Sequence, residues 1–401
     1  MTGSTQFMVR YSTVCVLLLL SHFALAQQRI TGNVVDAATD RPIPYASITV
    51  LNTRLGTTSN ADGEFELKTV PLPGKVVVSH LSYARDTLTV AAAQPLQIRM
   101  QPASVLLAEA PVGGYLEELI KKAYRQLRQS NTQKTYGQAF YRQTTQLDGD
   151  ATKVQEMIWN TKTSSAGMEG TTLAQARYAK KKSLVSFKNF SAYTKTVVLF
   201  DPKADSAASK SLLGPNVARN FTLSLVGVTQ NGPQQLVEIG FKRKTDDKQN
   251  TEQGSIIIDE TTHQILRLQL ETPGMPIKLN APGYRFKEQT LAFELVFQPA
   301  PDGAVLEYTK VSIRAAVDRP LKGDLRIQTS SFTYFYDGRP TPTGLAYAPV
   351  KKGESDLETI KQTTYEPAFW QKSSVVKRTP LEEGIIKSFE QKGAFGTLLS
   401  H

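Results

Sequence analysis

Short runs of alternating apolar residues, separated by turn dipeptides, constrain this chain more than any other feature. Asp62-Gly63, Asp148-Gly149, Asn231-Gly232, Asp302-Gly303 and Asp337-Gly338 all stand beside such runs. Glycine in these pairs supplies the positive φ that a tight hairpin turn needs. Between the turns, Val237, Ile239 and Phe241 share one face of a strand, as do Leu266, Leu268 and Leu270. Leu291, Phe293, Leu295 and Phe297 alternate with Ala292, Glu294 and Val296. Period-two patterning with successive hairpins predicts an antiparallel meander with one dry face. The expected fold class is mainly β.

Two units are expected. The first spans residues 27–102, with strands Ile30–Val35, Ala46–Leu51, Glu64–Leu67, Lys75–His80, Asp86–Val90 and Pro95–Met100. Strands this short and this dense suit an Ig-like or prealbumin-like β-sandwich. A linker at 103–114 contains Pro111 and Gly113-Gly114. Residues 115–401 form the second unit, opening with a linking helix. Leu116, Leu119, Ile120, Ala123, Tyr124 and Leu127 recur there at helical spacing. Glu117–Lys121 and Glu118–Lys122 are i,i+4 pairs on its other face. The meander follows, with short helices expected near 203–213, 356–362 and 381–391.

Residues 1–26 read as a secretory signal. Arg10 precedes the apolar stretch Val14–Leu20, and Ala24-Leu25-Ala26 matches a small-x-small cleavage site. Cys15, the chain's one cysteine, lies inside that stretch. Cleavage leaves about 375 residues with no thiol, so no disulfide scaffold is available. The 47 basic and 36 acidic residues become 46 and 36, a net charge of +10. No eighteen-residue apolar run exists, so no transmembrane helix is expected in the mature chain.

Several words in the first unit are specific. They are Ile30-Thr31-Gly32-Asn33-Val34-Val35-Asp36, Pro42-Ile43-Pro44-Tyr45-Ala46-Ser47-Ile48-Thr49-Val50, Gly56 to Phe65, and Val77-Val78-Ser79-His80-Leu81-Ser82-Tyr83. Together they resemble the carboxypeptidase-regulatory-like domain, a prealbumin-like sandwich found in exported proteins of the Bacteroidota. Ser82 stands where that family usually has glycine. The resemblance implies an accessory module beside a peptidase, a transporter or a surface protein. Tyr115 to Ala123, Ala139-Phe140-Tyr141-Arg142, Gly254 to Asp259 and Ile265-Leu266-Arg267 resemble the front part of exported Bacteroidota proteins of unknown function.

Catalytic constellations are hard to find. A zinc carboxypeptidase needs His-x-x-Glu plus a distant histidine. His80 leads into Leu81-Ser82-Tyr83 and His263 into Gln264-Ile265-Leu266, so neither fits. His80 reads as a sheet-edge residue and His263 as a turn residue. Asn60 to Glu64 lacks calcium-loop spacing and reads as a turn. No Gly-x-Ser-x-Gly, Walker or dinucleotide glycine pattern occurs. Ser374-x-x-Lys377 lacks the companion motifs of acyl-serine enzymes. Asp259-Glu260 reads as a solvated turn. No catalytic residue, cofactor or metal is therefore expected.

One basic cluster stands out: Arg177, Lys180, Lys181, Lys182 and Lys188, interleaved with Tyr178, Phe187 and Phe190. In an exported chain this is an edge facing solvent, or a patch for an anionic partner, and not a nucleic-acid site. The expected role is non-catalytic binding or scaffolding in the cell envelope, in the periplasm or at the outer membrane. The partner would be an envelope protein, a glycan or a lipid. The alternative is a carrier of an apolar ligand, with the Leu291–Phe297 stripe lining its cavity. A cell-wall hydrolase is the third reading.

Overall fold

A computed structural model of the protein describes residues 28–106, 114–199, 209–245, 251–273, 283–319, 322–349, 353–372, 375–395 and 398–399. The expected signal segment lies outside them.

The first unit is a two-sheet sandwich. Its strands are β1 (Gln28–Asp36), β2 (Ser47–Val50), β3 (Gly56–Thr58), β4 (Glu64–Val70), β5 (Gly74–His80), β6 (Tyr83–Val90) and β7 (Leu96–Met100). One sheet runs β4-β1-β7 and the other β3-β2-β5-β6. Ile30, Val34, Ile48, Phe65, Val78 and Ile98 are fully buried between them. Strand β3 escapes the sequence reading because three residues are too few to display alternation. At the Asp62-Gly63 turn, Asn60 Oδ1 accepts the N–H groups of Asp62 and Glu64, and Gly63 sits at φ 74°.

The presumed linker is partly strand. β8 (Ser104–Leu106) leaves the sandwich and pairs with the edge of the second unit's sheet. Helix α1 (Tyr115–Ser130) then buries Leu119, Ile120, Ala123, Tyr124 and Leu127. Glu117 pairs with Lys121 at 2.6 Å as the spacing requires. Glu118 instead reaches Arg125 at 2.8 Å, one turn further along, because a guanidinium spans farther than an ammonium.

The second unit is built on strands β9 (Thr135–Leu147), β10 (Asp150–Ser164), β11 (Gly167–Lys181), β12 (Phe221–Asn231), β13 (Gln234–Arg243), β14 (Gln253–Asp259), β15 (Ile265–Pro273), β16 (Arg285–Gln298), β17 (Val305–Asp318) and β18 (Leu325–Arg339). With β8 and β19 (Leu398–Leu399) they form one twelve-stranded sheet, ordered β19-β11-β10-β9-β18-β17-β16-β15-β14-β13-β12-β8. Every neighbouring pair among β9 to β18 is antiparallel, as successive hairpins require. Chain order breaks twice: β18 returns to pair with β9, and the consecutive strands β11 and β12 stand near opposite ends of the sheet. Strand β11 carries three of the five basic-cluster residues, Arg177, Lys180 and Lys181, and is not legible as a strand in the sequence.

Two short helices, α2 (Ser191–Thr196) and α3 (Val217–Asn220), fall in the stretch between β11 and β12. The helix expected at 203–213 falls largely outside the described residues. Helices α4 (Asp356–Ile360), α5 (Pro367–Lys372) and α6 (Pro380–Glu390) end the chain. Helix α6 begins with a capping box, in which Thr379 and Glu382 cap each other's backbone N–H groups, and Pro380 follows the cap.

Strand alternation sends successive side chains to opposite faces of this sheet. One face is apolar and covered. Ile239, Ile256, Leu295 and Phe297 lie there beneath α1, and Val311, Ile313 and Leu291 lie beneath Phe187, Phe190 and Tyr193. The other face carries the sandwich and helices α5 and α6, with a polar strip between them, while α4 packs on the covered face, where Asp356 accepts from Gln155 and Ser191.

Candidate functional site

Two rows of that polar face can be followed by register. The first runs Thr144, Ser330, Ser312, Ala292, Glu271, Gln253, Lys242, Thr222 across eight strands. The second runs Arg142, Phe332, Lys310, Glu294, Gln269, Ser255, Gly240, Ser224. These rows floor an open groove of about 810 Å³. Tyr45 from the sandwich walls one side and Glu382 from α6 the other.

Tyr45 holds its place by stacking on Phe332 at 4.8 Å, with Lys310 Nζ 4.4 Å from its ring centroid. Burial, with the nearby Glu382 and Glu294 carboxylates, pushes its phenol up to about 12. Glu294 pairs with Lys310 at 2.7 Å and accepts from Gln269 at 3.0 Å. Burial alone would raise the Glu294 carboxyl, but the Lys310 ammonium outweighs it and holds it low.

Beyond Arg142 the second row continues into Glu156 and Arg177, where the groove gives way to a covered charge cluster. Glu156 takes Arg142 Nε at 2.7 Å on one oxygen and Arg177 Nη2 at 2.5 Å on the other. Arg142 reaches on to Glu382 at 2.9 Å, and Arg177 to Glu390 at 3.1 Å. Burial would raise the Glu156 carboxyl, yet the two guanidiniums hold it at about 2. Arg177 also lies 4.9 Å from the Trp370 ring and 4.6 Å from Phe395. The cluster therefore anchors α5 and α6 onto the sheet.

The same C-terminal segment grips the sandwich. Thr57 donates to the Val375 carbonyl at 2.8 Å, Asn60 donates to the Arg378 carbonyl at 3.1 Å, and Lys377 pairs with Glu64 at 3.2 Å. Lys377 thus has a packing role, while Ser374 lies outside the described residues.

The predicted basic patch does not exist as one surface. Alternation along β11 sends Arg177 and Lys181 towards α6 and Lys180 to the opposite face. Arg177 is 2% exposed and neutralised by two carboxylates. Lys181 lies 5.4 Å from the Phe389 ring. Burial and the nearby Lys188 ammonium lower Lys180. Lys182 and Lys188 alone among the five are well exposed.

Other expectations need correction too. Asp259 is buried, not solvated: Oδ1 accepts from Thr261 and Thr262 N–H, and Oδ2 from Gln234. Glu260 accepts the Tyr115 hydroxyl at 2.6 Å, tying α1 to this turn. His263 is the turn residue anticipated, at φ 58°. His80 ends β5 and lines a partly open space between the two units, not a free sheet edge. The Leu291–Phe297 stripe belongs to the filled core, with Leu295 and Phe297 each 1% exposed. Among the described residues, no group of three or more His, Cys, Asp or Glu could hold a metal ion, and no helix is long and apolar enough to cross a membrane.

Sequence reasoning missed the Arg142–Glu156 pair. Its signal was present: the two stand equally far from the turn at Gly149, each a charge between apolar or small neighbours at i±2.

Residues 30–112 match the family model of the CarboxypepD_reg-like domain. That match covers the sandwich and β8, and agrees with the two-sheet topology. The CarboxypepD_reg-like domain is thus the part that supplies Tyr45 and His80. No curated protein matches the chain. Among solved structures, the LolA superfamily protein NE2245 from Nitrosomonas europaea is similar over 56% of this chain and 94% of that one, at 11% identity and a TM-score of 0.20. A likeness that distant carries no argument about function.

Proposed function

We propose that this is a non-catalytic, exported cell-envelope protein whose polar groove binds a stretch of glycan chain. The observation that carries the reading is the pair of register rows rich in Ser, Thr and Gln, left uncovered on a sheet whose other face is filled. Hydroxyl and amide side chains at the strand spacing match the repeated hydroxyls of a sugar polymer. The stacked Tyr45–Phe332 pair offers an aromatic wall at its side. Lys242 and Arg314 add cationic groups along the groove. Two of the groove's three acids are already committed, Glu294 to Lys310 and Glu382 to Arg142 and the Thr379 cap, which leaves Glu271 without a second free carboxylate and argues for binding over paired-carboxylate chemistry.

In this reading the sandwich and helices α5 and α6 act as the two banks of the groove, and the protein works in the periplasm or at the outer membrane. The apolar-carrier alternative loses its cavity, because the stripe meant to line it is packed. The test is to purify the protein from its native envelope and identify bound glycan by mass spectrometry. Ser312→Trp, which fills the groove floor, should arrive empty. Turnover of a cell-wall polymer that stops in Glu294→Gln would overturn the non-catalytic reading.

A further inference from the structure

A second space, of about 790 Å³, lies between the sandwich and the large sheet and is partly open to solvent. The β5–β6 hairpin of the CarboxypepD_reg-like domain forms one end of it. A register shift after Val78 sets Ala84 and Arg85 across from Ser79, beside His80, and all four residues line the space. Its floor is a register row of the large sheet, Tyr308, Val296 and Arg267. Tyr45 and Glu294 stand at the Tyr308 end, which they share with the groove.

The two ends differ in charge. Burial comes first in setting His80, then the Arg267 cation, with Glu294 opposing and Lys310 adding to the push, and the ring falls to about 4. Two cations against one carboxylate make the field at this end positive. At the other end, burial and then the Glu294 and Glu307 carboxylates push the Tyr308 phenol up. Those carboxylates are already held: Glu294 pairs with Lys310 at 2.7 Å, and Glu307 accepts from Gln298 at 3.0 Å. The positive end keeps donors unspent. Arg267 gives Nη2 to Glu238 at 2.6 Å, while its Nε is buried with no hydrogen-bond partner among the described residues. His80 Nδ1 accepts from the Ser82 N–H at 3.1 Å, which leaves Nε2–H as the donor of the neutral ring. Arg85 is exposed and has neither an ion pair nor a hydrogen bond among the described residues.

Three unspent donors at one end of a space this size, one of them a full unpaired cation, have the make-up of an anion-binding end. Glu238 neutralises Arg267, and His80 is uncharged at neutral pH, so Arg85 brings the unbalanced charge. One unit of positive charge matches a carboxylate and leaves a phosphate dianion half unbalanced. A ligand cation would meet an opposing field at this end, and at the other only carboxylates that are already held. A neutral ligand would use the hydrogen bonds and none of the charge, and so bind more weakly. We infer that the interdomain space binds a small carboxylate, with its anionic oxygens on Arg85, Arg267 Nε and His80 Nε2 and its body along Leu81, Leu266 and Val296. This site is separate from the groove and stands whether or not the groove binds glycan.

His80 is its own reporter. The probes are glucuronate, gluconate and lactate, with glucose as the uncharged control and glucose 6-phosphate as the dianion. The readout is the imidazole ¹H–¹⁵N spectrum of the purified full protein, with His263 as the reference ring. At least one carboxylate should shift His80 saturably and leave His263 in place. At saturation it should also raise the His80 titration midpoint, because a bound anion favours the imidazolium that Arg85, Arg267 and Lys310 disfavour. Arg85→Gln, at an exposed position that keeps the fold if Ser79→Trp does not, should weaken binding about ten-fold, the loss of one charged hydrogen bond. Ser79→Trp should abolish the shift, and groove-filling Ser312→Trp should leave it intact. No shift at His80 with any of the three carboxylates would overturn the inference. So would glucose or glucose 6-phosphate binding more tightly than every carboxylate, an unmoved midpoint at saturation, or unchanged affinity in Arg85→Gln. A shift that Ser312→Trp removes and Ser79→Trp keeps would place the ligand in the groove and overturn it too.

Discussion

The two faces of the twelve-stranded sheet are made by the same strands, yet they do opposite work. On one, Ile239, Ile256, Leu295 and Phe297 are sealed under α1, and side-chain volume fills the space. On the other, Ser312, Gln253 and Gln269 face an open groove, and where that face closes under α5 and α6, Arg142, Glu156 and Arg177 are set between two small apolar clusters. Burying apolar surface is non-directional and tolerates small shifts. A buried ion cluster requires matched partners in place, because any one left alone keeps its desolvation cost. The covered face therefore supplies stability broadly, while the polar face fixes where α5, α6 and the sandwich must sit.

The contrast can be broken in order of effect. Glu156→Gln should be the most damaging, since it removes the one buried carboxylate that two buried guanidiniums share and leaves each only its outer partner, Glu382 or Glu390. Urea unfolding should register a loss of about 3–5 kcal/mol, far more than a surface substitution. Leu295→Ala, on the apolar face of the same sheet, should cost about 2–5 kcal/mol through its cavity, with the groove still competent to bind. If Glu156→Gln proved the milder of the two, the charge cluster would be dispensable and the comparison would fail.

Smaller effects sharpen the picture. Thr379→Ala removes the α6 cap and should cost about 1 kcal/mol, seen as a lower thermal midpoint. His80 should leave a pH signature. Its folded pKa of about 4 lies below the unfolded 6.5, so the unfolded chain binds the proton first as pH falls. Its contribution is complete above 6.5 and is lost as pH falls towards 4, with a slope approaching 1.4 kcal/mol per pH unit. Burial first, then Arg267 and Lys310 acting against Glu294, set that value, and His80→Gln should flatten the stability profile in that window. Ser312→Trp should change stability by no more than about 0.5 kcal/mol, since its side chain points into the open groove.

Much of the architecture was legible in residue order. Asp148-Gly149, Asn231-Gly232 and Asp302-Gly303 marked hairpins that form, and the Leu291–Phe297 alternation identified the dry face. Leu119, Ile120, Ala123 and Leu127 identified the packed side of α1. Period and turn chemistry act over a few residues, so they survive without knowledge of the fold. Strand β11 was not legible, because Arg177 and Lys181 mimic a solvated edge when their partners are unknown.

The basic cluster shows most clearly where local reading stops. Five cations in twelve residues were visible in the sequence, but the direction of each side chain was not. Glu156 lies 21 residues before Arg177 and Glu390 lies 213 after it, and only folding brings them together. The sequence by itself determined a chain of β-hairpins preceded by a small sandwich, because alternation and turn glycines are local properties. The tertiary structure alone decided that Arg177 is buried, that His80 faces a chamber and that the polar rows stay open. Those outcomes depend on which distant segment comes to cover each stretch of the sheet.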